Sequence, residues 1–276
     1  MKKRITIDGG AVVYQLEYPA ARRNDPPKTR AAKQKASSAA QAMRNQILST
    51  RALELLLSVN YPTPGSGLVL TLSFDDEHLP PDRKTALRRL KYFLKLLRGA
   101  RREAGKPEPR CVYCPEVLSS ASGRWHFHLV LDSTGDDLGD VRRCWRYGRD
   151  IEARPLRVDE EKNHESLARY MNKELREAQE YACRPGLHGW SCTRSCYRPA
   201  VDVQTVEDSS RLRAPRGATV LIFERRSTEL CESTVLKYRL PAECFRRRRR
   251  TRRRRWQAGP DARRRAFLGI LSGSEC

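Results

Sequence analysis

No stretch of this chain approaches the roughly 20 consecutive apolar residues that span a bilayer. Its opening, MKKRITIDGG, lacks the apolar run of a secretory signal. The protein is therefore expected in the cytoplasm, with no membrane partner. A G-x-x-x-x-G-K-[ST] loop is absent, which argues against an attached helicase and leaves unwinding to a host enzyme. The Gly-rich turns of dinucleotide-binding folds are absent too. Acidic residues are scarce beside basic ones, with 33 Asp and Glu against 55 Lys and Arg and a formal net charge of +22. Such an excess implies a polyanionic partner, nucleic acid first. The nine cysteines are odd in number, and in an unsecreted chain they argue for reduced thiols or a metal site and against a disulfide framework.

Composition divides the chain into five parts. Residues 1–36 form a basic N-terminal segment, and residues 37–66 hold a lead-in helix with Ala, Met, Ile and Leu at helical spacing, closed by the turn YPTPGSG. A main domain follows over 67–225, then a linker over 226–245 and an Arg-rich tail over 246–276. The tail carries twelve arginines against Asp261 and Glu275, so the rest of the chain is still strongly basic. A run of like charge repels itself, so the tail is expected to stay disordered until it meets an anion. Arg246, Arg247 and Arg248 open it, and non-specific attraction to phosphates is their expected role.

Within the main domain, LVLTLSF (68–74) has the length and continuity of a central strand. RKTALRRLKYFLKLLRGARRE (83–103) places Leu87, Leu90, Phe93, Leu94 and Leu97 on one stripe, with a basic outer face that includes Arg88, Arg89 and Lys91. RCVYCPE (110–116) and GRWHFHLVLD (123–132) read as the two strands of a hairpin. IEARPLR (151–157) is an edge strand because of its proline. NHESLARYMNKELREAQEYA (163–182) is helical, with Asn163 as its cap, and ATVLIFER (218–225) is the last clear strand. Strands interleaved with helices, without nucleotide-binding turns, predict an α+β fold: a central, mainly antiparallel β-sheet flanked by helices, with a basic helix toward the N-terminus.

The chemistry gathers in that domain. Side chains alternate across a strand, so His126 and His128 share a face while Phe127 points the other way. Two imidazoles so placed can meet one metal ion or fill a core. Glu116, on the preceding strand of the hairpin, can face them across the sheet, and two imidazoles with a carboxylate suit a divalent cation that keeps positions open for substrate. Tyr170 and Lys173 are three residues apart and share a helix face, a spacing also common on any amphipathic helix. Arg124 and Trp125 precede the histidines as candidate DNA contacts, with core packing the alternative for Trp125. Cys111 and Cys114 would face opposite ways on a regular strand and read as buried thiols. Cys183, His188, Cys192 and Cys196 stand at spacings conceivable for a structural zinc.

Taken in order, LVLTLSF, the H-x-H strand WHFHLVLD and the Y-x-x-K helix ARYMNKE resemble the three motifs of the HUH endonucleases of rolling-circle replication. The segments LLLSVNYPTPGSG and GWSCTRSCYRP are similar to those of replication initiators from small plasmids and filamentous phages, and the resemblance covers about residues 40–200. It implies an HUH/RRM-like palm in which His126 and His128 bind Mg²⁺ or Mn²⁺ with Glu116 as third ligand. Tyr170 would be the nucleophile and Lys173 a neighbour of the phosphate. Ser166 and Glu174 stand where a Y-x-x-x-Y relative would carry a second tyrosine, so the single-tyrosine type is expected, with Tyr181 a more distant auxiliary. The implied activity is nicking and joining of single-stranded or supercoiled origin DNA through a 5′-phosphotyrosine, which leaves a 3′-hydroxyl for a host polymerase. A relaxase or single-strand transposase would use the same chemistry, and a DNA-binding protein with a structural H-x-H is the reading from another class. The nick sequence and oligomeric state are not written in the chain.

Overall fold

The alternation in Lys2–Asp8 buries Ile5 and Ile7 and leaves the residues around them half-covered. That pattern makes a strand with one inner face. The computed structural model describes residues 1–20, 39–117, 124–159, 163–172, 189–227, 232–241 and 244. Its elements are β1 (Lys2–Asp8), β2 (Val12–Pro19), α1 (Ala39–Asn60), β3 (Gly67–Ser73), α2 (Arg83–Glu103), β4 (Cys111–Val117), β5 (Trp125–Asp132), α3 (Leu138–Cys144), β6 (Ile151–Pro155), α4 (Glu165–Met171), β7 (Ser191–Cys192), β8 (Ala200–Val206), β9 (Thr219–Ser227) and β10 (Glu232–Arg239). The fold is α+β with antiparallel pairing throughout the described strands. Where one central sheet was expected there are two, ordered β8-β1-β2-β10-β9 and β6-β3-β5-β4-β7. No helix of the described residues is long and apolar enough to cross a membrane.

The chain divides into two compact units, one of residues 1–59, 159–166 and 198–276, the other of 60–158 and 167–197. This corrects the five-part division. Residues 1–36 supply β1 and β2 in place of a basic segment, and the expected linker 226–245 supplies β10, which lies between β2 and β9. The main domain is likewise cut, since β8 and β9 belong to the first unit's sheet. Charged residues on the solvated positions of these strands gave them the composition of a linker. The tail, Arg246, Arg247 and Arg248 included, lies outside the described residues.

In the first unit, Ser58 of α1 accepts a hydrogen bond from the Val12 amide at 3.2 Å, and Arg51 donates to the Tyr14 hydroxyl at 2.6 Å with its guanidinium over the ring. Lys237 of β10 is buried, and its ammonium lies 2.8 Å from Glu54 and 2.7 Å from Glu165. Val13, Leu236 and Tyr238 pack with Leu212 and Leu240.

In the second unit, the apolar stripe of α2 seats Leu90, Phe93, Leu94 and Leu97 against Leu70, Leu72, Phe127, Leu129 and Leu131 of the sheet. Asp82 caps that helix by accepting from the Thr85 amide at 2.6 Å. Trp145, just after α3, packs edge-on against Phe74 and Phe93 and donates its indole N–H to the Ser73 carbonyl at 2.9 Å. Gly148 lies so close to this carbonyl that a Cβ would overlap it. Trp125 joins the same core, so the packing alternative holds for it. Arg101 continues the α2 stripe and is fully buried. It donates to Asp132 Oδ1 at 2.7 Å, the Asp132 carbonyl at 2.6 Å and Asp137 Oδ1 at 2.9 Å. Because Asp132 ends β5, this network helps fix the register on which the facing of the histidines depends, since a slip of one residue would turn them over.

Candidate metal and nucleophile site

All core-facing residues of β5 (Trp125, Phe127, Leu129 and Leu131) lie on the α2 side. The alternating positions therefore put His126 and His128 on the opposite face of the sheet. β4 pairs Glu116 directly with His126 and Cys114 with His128. β3 pairs Thr71 with His128 and Ser73 with His126. The expected hairpin thus forms, and its register brings the carboxylate to the imidazoles. One ligand atom from each of Glu116, His126 and His128 lies within 4.8 Å of the others. His126 Nε2 is 3.8 Å from Glu116 Oε2, and His128 Nε2 meets the same oxygen in close contact.

α4 adds the tyrosine. Asn163 accepts from the Glu165 amide at 2.9 Å, and Asp159 accepts from the Ser166 amide at 3.2 Å, so the first turn of the helix has acceptors for its free N–H groups. Tyr170, half exposed, places its hydroxyl 3.3 Å from His128 Nε2, with the two rings 5.0 Å apart. Burial pushes the Tyr170 hydroxyl above its ordinary range, with Glu116 adding to the rise and Arg154 opposing it. Burial lowers the His126 imidazole below its usual value, against the pull of Glu116. A neutral imidazole has a lone pair free for a cation, so two such nitrogens and a carboxylate oxygen at this spacing fit a divalent ion.

The other residues named from the sequence are placed as follows. Arg88 and Lys91 are exposed on α2, which covers the face opposite the histidines, and neither is brought to the site. Arg89 donates to the His78 carbonyl and sets its guanidinium over Phe74 and Tyr147. Arg124 pairs with Asp76. Lys173, Tyr181, Cys183 and His188 lie outside the described residues. Cys111 and Cys114 are buried on opposite faces of β4, as their spacing predicts.

Two residues on the histidine face went unread in the sequence. Glu152 pairs with Thr71 and Arg154 with Val69 across β3 and β6; the side chains of Glu152 and Arg154 are largely exposed and 3.8 Å apart. Both act on the Tyr170 hydroxyl electrostatically. The alternation of Ile151–Pro155 could have put them on one face, but only the sheet order reveals that this face is the histidines'.

Residues 67–175 match the model of a family described as Replication-associated protein ORF2. The matched segment contains β3, the Glu116–His126–His128 cluster and Tyr170, and it supports a replication-initiator family for this part of the chain. No curated protein and no solved structure matches the chain.

Proposed function

We propose that the protein is an HUH-type, metal-dependent endonuclease and strand transferase that nicks and joins single-stranded DNA through Tyr170 and so initiates rolling-circle replication of a plasmid or phage. One observation carries this reading: the Tyr170 hydroxyl lies 3.3 Å from His128 Nε2, beside the Glu116–His126–His128 cluster. The similarity of residues 67–175 to a replication-associated family supports the biological setting, and the net charge of +22 supports a DNA partner.

Glu116, His126 and His128 would hold Mg²⁺ or Mn²⁺. Such an ion draws charge from the non-bridging oxygens of a phosphodiester and so lowers its repulsion of a nucleophile. Tyr170 supplies that nucleophile. Its oxygen forms a bond to phosphorus as the bond from phosphorus to the 3′-oxygen breaks, which leaves a 3′-hydroxyl and a 5′-phosphate held on the tyrosine. The raised pKa of the hydroxyl means that its proton is still present at neutral pH and must leave during attack. The reverse transfer, with a 3′-hydroxyl attacking the phosphotyrosine, joins strands at the same site. Arg154 is placed to meet a phosphate near the tyrosine. Origin DNA is the proposed substrate, and a host helicase and polymerase would complete replication.

The test is incubation of the full chain with Mn²⁺ and end-labelled single-stranded oligonucleotides from candidate origins. A protein–DNA adduct that survives denaturation is expected, lost in His126→Ala and His128→Ala variants that remain folded. Retention of wild-type cleavage in both variants would overturn the metal assignment. Tight DNA binding without cleavage of any origin would favour a non-catalytic binding protein.

A further inference from the structure

The two nitrogens of His128 face different partners. Nε2 points at Glu116 and the Tyr170 hydroxyl, while Nδ1 lies 3.3 Å from Thr71 Oγ1 on β3. The contact follows from register, since Thr71 is the direct cross-strand partner of His128. A neutral imidazole carries one proton, on one nitrogen or the other. With Nε2–H donating to the Glu116 carboxylate, Nδ1 is an acceptor and needs a donor. With the Nε2 lone pair given to a cation, the proton must sit on Nδ1 and needs an acceptor. A hydroxyl serves both states by rotating about one bond; an aliphatic side chain of the same shape serves neither.

We propose that Thr71 is a positioning residue for the metal site: its hydroxyl donates to Nδ1 of His128 in the cation-free protein and accepts from Nδ1–H when Nε2 binds a divalent cation. The inference rests on the reading of Glu116, His126 and His128 as a metal site. Loading His128 takes one proton from Nε2 to water and one from water to Nδ1, so the imidazole stays neutral. The role of the hydroxyl is to hold the ring's rotation and tautomer, in the way the outer partner of a metal-bound histidine commonly does. It touches neither substrate nor cation.

Two readouts test it on the full chain. In the wild type, ¹⁵N-resolved histidine NMR should show His128 protonated at Nε2 without cation and at Nδ1 with saturating Mg²⁺; an Nε2–H signal that persists at saturation would overturn the proposal with no variant needed. Mn²⁺ titration followed by EPR of the free ion should show binding weakened about 10- to 100-fold in Thr71→Val. Thr71→Ser should rescue it to within a few-fold, and Thr71→Ala stands in if the valine variant does not fold. Equal affinity in wild type and Thr71→Val would overturn the role of Thr71 while leaving the metal site intact. Mn²⁺ binding by the wild type that is no stronger than in His126→Ala would overturn the metal site and this inference together.

Discussion

Replacing Arg101 by methionine should destabilise the second unit by about 3–5 kcal/mol, the usual consequence of removing one partner from a buried ion pair. The wild-type guanidinium is fully buried and makes three hydrogen bonds, two to carboxylates and one to the Asp132 carbonyl. Methionine refills part of the volume but leaves Asp132 and Asp137 without it. Neither carboxylate becomes bare: Arg110 Nε remains 3.2 Å from Asp132, and the amide and hydroxyl of Thr134 still donate to Asp137. That residual support keeps the cost near this range. Against a total of about 5–15 kcal/mol for a domain, it is large. Trp125 and Trp145 lie in this unit's core, so urea unfolding followed by tryptophan fluorescence reads it directly. The pH dependence has a definite sign. Burial raises the Asp137 carboxyl, but the Thr134 hydrogen bonds and Arg101 outweigh it and hold the group below its ordinary range. Its contribution is present above the unfolded value near 3.9 and is lost as pH falls through the lower folded value. The gap between wild type and Arg101→Met should be widest at neutral pH and close below about pH 4. A variant within about 1 kcal/mol of wild type at pH 7 would refute the reasoning, because it would place the pair in the range of exposed salt bridges.

Three further outcomes follow from the geometry. Arg154→Ala should weaken binding of single-stranded oligonucleotides and lower the slope of log affinity against log salt by about one unit, with little change in melting temperature; an unchanged slope would remove Arg154 from the DNA path. Gly148→Ala should cost about 1–3 kcal/mol through overpacking against the Ser73 carbonyl, read as a lower urea midpoint, and an unchanged midpoint would contradict the close approach. Arg88→Ala and Lys91→Ala, on the face away from the histidines, should reduce cleavage less than twofold at physiological salt, against a much larger loss in His128→Ala.

The H-x-H strand was legible because a two-residue period is a direct consequence of strand geometry, and Phe127 between the histidines announced which face was core. The helix 83–103 was equally plain, since its leucines repeat with the helical period and Asp82 stands at its start. The first sheet was hidden for a physical reason. β1 mixes Lys2, Lys3 and Arg4 with two isoleucines, and β10 carries Glu232, Lys237 and Arg239, so charge count outweighed alternation. Lys237 in particular is a buried charge that pairs with Glu54 and Glu165, partners far away in the sequence. Arg101 misled in the same way, because a charged residue on the α2 stripe reads as surface until Asp132 and Asp137 are placed beside it. The roles of Thr71 and Arg154 depend on strand order and register, which no local pattern encodes.

The central claim is that the Tyr170 oxygen attacks a phosphodiester beside the Glu116–His126–His128 cluster. Its most direct test is peptide mapping by mass spectrometry of the denaturation-resistant adduct formed with a single-stranded origin oligonucleotide and Mn²⁺. The account predicts a nucleotide joined through its 5′-phosphate to Tyr170 and no adduct from Tyr170→Phe. A 5′-phosphate found on Tyr181 or any other residue, or undiminished adduct from Tyr170→Phe, would contradict it.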